Sequence, residues 1–201
     1  MSIAQMAFSQ ACENNKQPIL NQLESLLSKS KQVLEIGSGT GQHACFFAAN
    51  MPWLTWHTSD RAINLPSLNA RLAEQAPSNV NSAIELDITQ TMPAISQQID
   101  CSYSANTLHI MNQSQVETFF NRLGDSFPKL QQAIFYGPFN YQGQFTSASN
   151  QAFDKTLRER QLGQGIRDIE WIIELAGRNQ LQLKQDIGMP ANNRLLQFVR
   201  V

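Results

Sequence analysis

The chain has little of what would place it in a membrane, on a polyanion or in a disulfide-stapled class. Its 201 residues hold only three cysteines, at positions 12, 45 and 101, too far apart for metal-binding or redox spacing, so no metal site is expected. No apolar run approaches the roughly 18 residues that span a bilayer. The first 15 residues lack a basic stretch followed by an apolar one, so a reducing, cytoplasmic setting without a secretory leader is expected. Charge is sparse and balanced, with 15 Lys+Arg against 16 Asp+Glu, which removes any general drive toward bulk nucleic acid or anionic lipid. What remains is an ordinary globular composition, 42% hydrophobic and 15% charged. That length suits one α/β domain over residues 1–201, with residues 1–30 as an N-terminal lid and helix, and leaves no room for a separate substrate domain. Oligomeric state is not fixed by these features.

Periodicity places the elements. Ile19, Leu20, Leu23, Leu26 and Leu27 fall at helical spacing and predict a helix over residues 16–28, with Pro18 in its first turn. Strands are predicted at 32–36, 54–58, 83–86, 99–105 and 133–136, separated by helices over 42–50, from about 66 through 72, and 114–124. The run Ser114-Gln115-Val116-Glu117 has capping-box spacing. Residues 137–151 read as a long polar loop, followed by helices to residue 160 and from residue 168. Residues 181–187 and 195–201 read as two strands joined by a turn at 189–193. Alternating strands and helices that finish in a hairpin imply a mostly parallel sheet, helices on both faces and one antiparallel strand near the edge. Ligands on such sheets lie at the carboxyl ends of the strands, beside the switch point.

The chemistry concentrates in Val33-Leu34-Glu35-Ile36-Gly37-Ser38-Gly39-Thr40-Gly41. An apolar strand feeding an acid and three alternating glycines makes a nucleotide cradle, because the backbone turns sharply and its amides approach a ligand with no Cβ in the way. The following helix points its positive end at the same place. A dinucleotide fingerprint wants glycine or alanine at position 42, where this chain has glutamine, and a Walker loop is absent. Asp60 ends the second strand, where a carboxylate can accept from ribose hydroxyls; nicotinamide enzymes use the same device, so it does not decide alone. Arg61 reads either as a 2′-phosphate ligand or as a solvated side chain. Asp87 follows the third strand and either receives an adenine amino group or caps a turn.

The arrangement of Glu35, the glycines, Asp60 and Asp87 resembles the cofactor motif of class I methyltransferases, in which the acid lies near the methionyl ammonium of S-adenosyl-L-methionine. Further segments carry a more specific resemblance: residues 15–20, Ser59-Asp60, Asn106-Thr107-Leu108-His109-Ile110, Tyr136-Gly137-Pro138-Phe139, Ser149-Asn150 with Phe153-Asp154, Leu157-Arg158, Gly165-Ile166-Arg167-Asp168 and Met189-Pro190-Ala191-Asn192-Asn193. Together they resemble an uncharacterised methyltransferase-like family known as domain of unknown function 938, over almost the whole chain. Asn14 departs from the arginine usual there. The resemblance implies a Rossmann-like three-layer sandwich with a seven-stranded sheet, and a cofactor pocket formed by Glu35, Gly37, Ser38, Gly39, Gly41, His43, Asp60, Arg61, Asp87, Ile88 and Asn106.

Methyl transfer from a sulfonium is an in-line displacement on an activated donor, so positioning can supply most of the catalysis. Asn106 and His109 follow strand four and read as an orienting amide and a proton acceptor, although His109 reads equally as a helix-start histidine satisfied by backbone. The Asn-Pro-Pro-Tyr signature of amino-group methyltransferases is absent, which argues against a nucleobase acceptor. Tyr136, a further catalytic candidate, and Phe139 either wall the acceptor or serve as a strand-end anchor and a core residue respectively. Asn15, Asn192 and Asn193 are further acceptor-side candidates, and turn chemistry also accounts for the last two. Arg158 and Arg167 either grip a carboxylate or phosphate on the substrate or pair with Asp154, Glu159, Asp168 and Glu170. The expected function is S-adenosylmethionine-dependent methylation of a small molecule. The alternatives are a catalytically silent cofactor-binding regulator and, less favoured, a nicotinamide-dependent oxidoreductase.

Overall fold

The computed structural model describes residues 6–201; the first five residues of the expected lid lie outside the described residues. The chain runs α1 (Gln10–Leu26), β1 (Gln32–Ile36), α2 (Gln42–Asn50), β2 (Thr55–Asp60), α3 (Leu65–Gln75), β3 (Val80–Glu85), β4 (Cys101–Ala105), α4 (Gln113–Asp125), β5 (Gln132–Gly137), β6 (Phe139–Asn140), α5 (Ala148–Arg158), β7 (Arg167–Asp168), α6 (Ile169–Arg178), β8 (Leu181–Met189) and β9 (Asn193–Arg200). Seven strands form one sheet in the order β3-β2-β1-β4-β5-β9-β8. All pair in parallel except β9, which runs antiparallel to β5 and β8. The order reverses between β1 and β4, which creates the crevice in which such sheets hold ligands.

Alternation along the strands divides the core between two faces. Leu34, Phe135 and Phe198 pack with Phe119, Phe120 and Ile172 of α4 and α6. On the other face Val33, Trp56, Tyr103 and Ile134 pack with Ile19 and Leu23 of α1 and Phe47 of α2. Burying each such side chain stabilises the fold by about 1.5–3 kcal/mol. The result is three layers, with Glu35 on the same side of β1 as Val33.

Several boundaries differ from the sequence reading. Helix α1 starts six residues earlier than expected, because Ser9 caps it by accepting from the Cys12 amide at 3.3 Å. Pro18 is therefore inside the helix, where it removes one amide donor, and not in the first turn. The capping box of α4 is Asn112 with Gln115, each side chain taking the other's amide at 2.9 Å, so the helix begins before the expected Ser114. The long loop is also interrupted: β6 pairs with β7 in a separate two-stranded parallel sheet, Phe139 opposite Arg167 and Asn140 opposite Asp168. The last turn shrinks to Pro190-Ala191-Asn192, with left-handed φ of 55° and 56° at Ala191 and Asn192.

Candidate active site

A cavity of about 950 Å³ opens at the carboxyl ends of β1 to β5, within the size range of small-molecule sites. After β1 the chain leaves the sheet through Gly37, whose amide and that of Ser38 donate to Ser59 O at 3.0 and 2.9 Å. Gly37 has φ +81°, and a Cβ there would meet Thr107 Cγ2 at 2.5 Å, so only glycine fits. Gly41, at φ +74°, turns the chain into α2, and a Cβ there would strike Leu68 at 2.8 Å. That contact takes Gly41 to the α3 side, off the cavity wall.

Three acids line the cavity near the glycine loop. The Glu35 carboxylate is buried and accepts the Trp56 indole N–H at 3.2 Å. Desolvation, with a smaller contribution from Asp60, pushes its pKa up to about 7, as expected of a carboxylate that lacks a cation. Asp60 is tightly held: Oδ2 accepts from the Gly39 amide at 2.7 Å, and Oδ1 from the Arg61 amide at 2.8 Å and Asn64 Nδ2 at 2.7 Å. Asp87 caps its own turn, with Oδ1 accepting from the Thr89 amide and hydroxyl at 2.9 and 2.7 Å, while still facing the cavity. The Thr89 bonds, side chain before backbone, hold its carboxyl below the usual range. The hydroxyl of Thr40, in the glycine loop, is buried without a partner among the described residues. A glycine cradle, an uncompensated acid and an orphaned hydroxyl fit a cationic, hydroxyl-bearing nucleoside such as S-adenosylmethionine.

The end of the cavity after β4 is uncharged. Asn106 and His109 line it after β4, with Ile110, Met111, Asn150 and Phe153. Asn106 holds a left-handed φ of 57° while its amide still donates to Tyr136 O at 2.8 Å. Among the three histidines, His57 is bracketed by Gln32 and Asn81 at 2.7 and 3.0 Å, and His43 Nε2 lies 2.7 Å from Asn15 Oδ1. His109 has no ring-nitrogen partner among the described residues; its ring sits edge-on to Phe153 at 5.3 Å. Burial first, then the Arg167 charge, lowers its pKa to about 4, so near neutrality the imidazole is an unprotonated acceptor.

The structure brings Glu35, Gly37, Ser38, Gly39, His43, Asp60, Arg61, Asp87, Ile88, Asn106, His109 and Asn193 into the lining of one cavity. It takes other expected residues off it. Tyr136 is still within β5, paired with Ala105 and Leu195, so its side chain stands normal to the sheet and joins the core on the α1 face. Phe139 packs into the opposite core. Asn15 is spent on His43, and the Asn192 carbonyl accepts from Asn150 Nδ2 at 3.1 Å. Arg158 Nε pairs with Asp154 at 2.5 Å, and buried Arg167 donates to the carbonyls of Leu108, Met111 and Gly163, so neither reaches the main cavity.

Ser9 and Cys12 of the N-terminal segment, Thr107, and Ser149, Asn150 and Phe153 of α5 also line the cavity; the sequence reading expects residues up to 16 and 137–164 over the pocket, but does not single out these six as site residues. The i,i+3 pair Asn150 and Phe153 was the available signal. The N-terminal segment is tied across the donor half. Ala7 is held by Ser67 and Arg71 at 2.8 and 2.7 Å, and Gln42 holds the Ser9 amide at 2.7 Å and Glu13 at 2.6 Å.

The family model described as protein of unknown function (DUF938) matches residues 6–200. Among solved structures, the chain is similar to human N-acetylserotonin methyltransferase in complex with SAM, with a TM-score of 0.75 at 14% identity, covering 95% of this chain and 53% of that one. An O-methyltransferase family 2 protein from Planctomyces limnophilus, in complex with apigenin, gives 0.78 at 16%, covering 95% and 58%. Mitomycin 7-O-methyltransferase MmcR gives 0.75 at 16%, covering 90% and 54%. The chain thus spans a little over half the length of these proteins and shares their methyltransferase fold. Among the described residues no helix is long and apolar enough to cross a membrane.

Proposed function

We propose, for a chain that belongs to the DUF938 family of proteins of unknown function, that it is an S-adenosylmethionine-dependent methyltransferase acting on a small-molecule acceptor. In this reading residues 1–201 form one domain, with the N-terminal segment as its lid. The observation that carries the reading is the continuity of the cavity, from the Glu35–Gly39–Asp60 cradle to the uncharged wall around His109. The methyltransferase fold of the solved relatives supports it. Gln42 supports it against a dinucleotide: its side chain is committed to Ser9 and Glu13, at the position where a dinucleotide fold needs a small residue.

When bound, the cofactor supplies a methyl group on a cationic sulfur that departs as a neutral thioether. The chain's own residues do the rest. Glu35 regains its charge beside a cation, which offsets its desolvation. Asp60, fixed by three donors, keeps a lone pair for a ribose hydroxyl. Asn106 orients the acceptor through its amide, and His109 takes the proton that an oxygen, sulfur or nitrogen acceptor loses as its lone pair forms the new bond to carbon. Met111 and Phe153 exclude water from the acceptor end.

Calorimetry with S-adenosylhomocysteine tests this. Wild type is expected to bind saturably, and Asp60→Ala to bind about tenfold to a hundredfold more weakly, the worth of a charge-assisted hydrogen bond. Absence of binding to the wild type refutes the reading. Labelled donor incubated with metabolite fractions then separates a transferase, which labels a product, from a silent binder.

A further inference from the structure

We propose that a side chamber next to the acceptor end binds a carboxylate or phosphate group carried by the acceptor. The chamber, about 560 Å³, is lined by Asn112, Gln113, Ser114, Arg158, Gly163, Gln164 and Arg167, and shares Asn112 and Gln164 with the main cavity. Among the described residues no acidic side chain lines it. Arg167 is 6% exposed. Its Nε and Nη2 are spent on carbonyls of Leu108, Met111 and Gly163, while Nη1 has no partner among the described residues. That edge is not among the buried unpartnered atoms, so it is open at the chamber, where water or an anion can meet it.

Arg158 adds the second charge. Asp154 occupies its Nε, leaving both terminal amino groups without partners among the described residues, and its side chain is 61% exposed. Both guanidiniums line the same chamber, where Arg158 disfavours and Asp154 favours the charge on Arg167, so an anion bound there meets two cations. The first turn of α4 meets the same chamber at Gln113 and Ser114, whose amides precede the first intrahelical bond, Val116 N to Asn112 O. Acidic neighbours are already engaged or set back: Asp154 also accepts the Ile166 amide at 2.7 Å, and Asp168 acts on Arg158 only at longer range. Because the acceptor wall of the main cavity is uncharged, this chamber is where an anionic substituent is neutralised.

The source of the anion rests on the methyl-transfer reading, but the site itself does not. Inorganic phosphate titrated into the ligand-free full chain, against sodium chloride at matched ionic strength, is expected to shift the amide resonances of Gln113, Ser114 and Gly163 saturably. Arg158→Gln should weaken that binding at least fivefold, and Arg158→Lys should restore part of it, both with unchanged S-adenosylhomocysteine binding. Phosphate shifts that are absent, equal in Arg158→Gln, or confined to residues 37–41 overturn the site. A labelled product found only in uncharged metabolite fractions overturns the assignment of the anion to the acceptor. Failure of S-adenosylhomocysteine to bind, with phosphate binding intact, overturns the methyl-transfer reading and leaves the anion site standing.

Discussion

Replacing Glu35 by glutamine isolates what the buried acid costs the ligand-free protein. Its pKa rises from 4.5 to about 7 on folding, chiefly by desolvation. Between those values the unfolded chain is ionised and the folded one protonated, so this group's stabilisation is complete below pH 4.5 and is lost as pH rises to about 7. At about 1.4 kcal/mol per pH unit, the loss is about 3 kcal/mol above neutrality. Glutamine carries no charge and keeps a carbonyl for the Trp56 N–H, so Glu35→Gln should match wild type near pH 4.5 and exceed its stability by about 3 kcal/mol at pH 8. For a chain of this size that is roughly 6–12 °C in Tm. Urea unfolding followed by tryptophan fluorescence, with both proteins compared at the same pH, cancels the opposite acid dependence of Glu13 and Asp87, whose pKa values are lowered. The variant should also bind S-adenosylhomocysteine more weakly, since its amide no longer pairs with the ammonium. Equal stability at pH 8 refutes the desolvation argument, and equal affinity refutes the placement of the cation.

Two further perturbations address the other parts of the site. His109→Gln should reduce turnover about 100- to 10,000-fold without changing S-adenosylhomocysteine affinity. With donor saturating, so that Glu35 stays paired, wild-type kcat should stay level from pH 8 to about 5 and fall as the imidazole protonates near pH 4; an acid limb in kcat near pH 6.5 contradicts the burial of the ring. Gln42→Ala removes the anchors of Ser9 and Glu13, worth about 1–3 kcal/mol together, so amide exchange at Ser9 and Cys12 should accelerate by tenfold or more. Unchanged exchange there shows that Arg71 and Ser67 suffice to hold the segment.

The donor half was legible because its chemistry is local. Glu35, the glycines, Asp60 and Asp87 each sit where a strand ends and the chain turns out of the sheet, and short-range pattern finds such places. Asp87 shows the limit, because the sequence cannot apportion one carboxylate between its own turn and a ligand, and the structure gives one oxygen to Thr89. Tyr136 was less legible because a side chain still inside the pairing register points along the sheet normal, however near the strand's end it lies. Ser9 and Cys12 reach the cavity through a helix begun six residues early, and Arg167 is held by carbonyls 56 and 59 residues away in sequence. Contacts of that kind leave no periodicity.

The junction of Gly37 with Thr107 limits how such a protein can diversify. The Thr107 methyl occupies the space a side chain at position 37 would need. Its hydroxyl lies 2.5 Å from Ser104 Oγ, which donates to Ile36 O at 2.7 Å. A side chain at position 37 would demand both a smaller residue at 107 and a different backbone at 37, so the cradle constrains the wall that carries Asn106 and His109. On the α5 wall Asn150 is fixed by Thr146 and Asn192, but Phe153 is 39% exposed and meets His109 only edge-on, so position 153 can vary while the cradle stays constant.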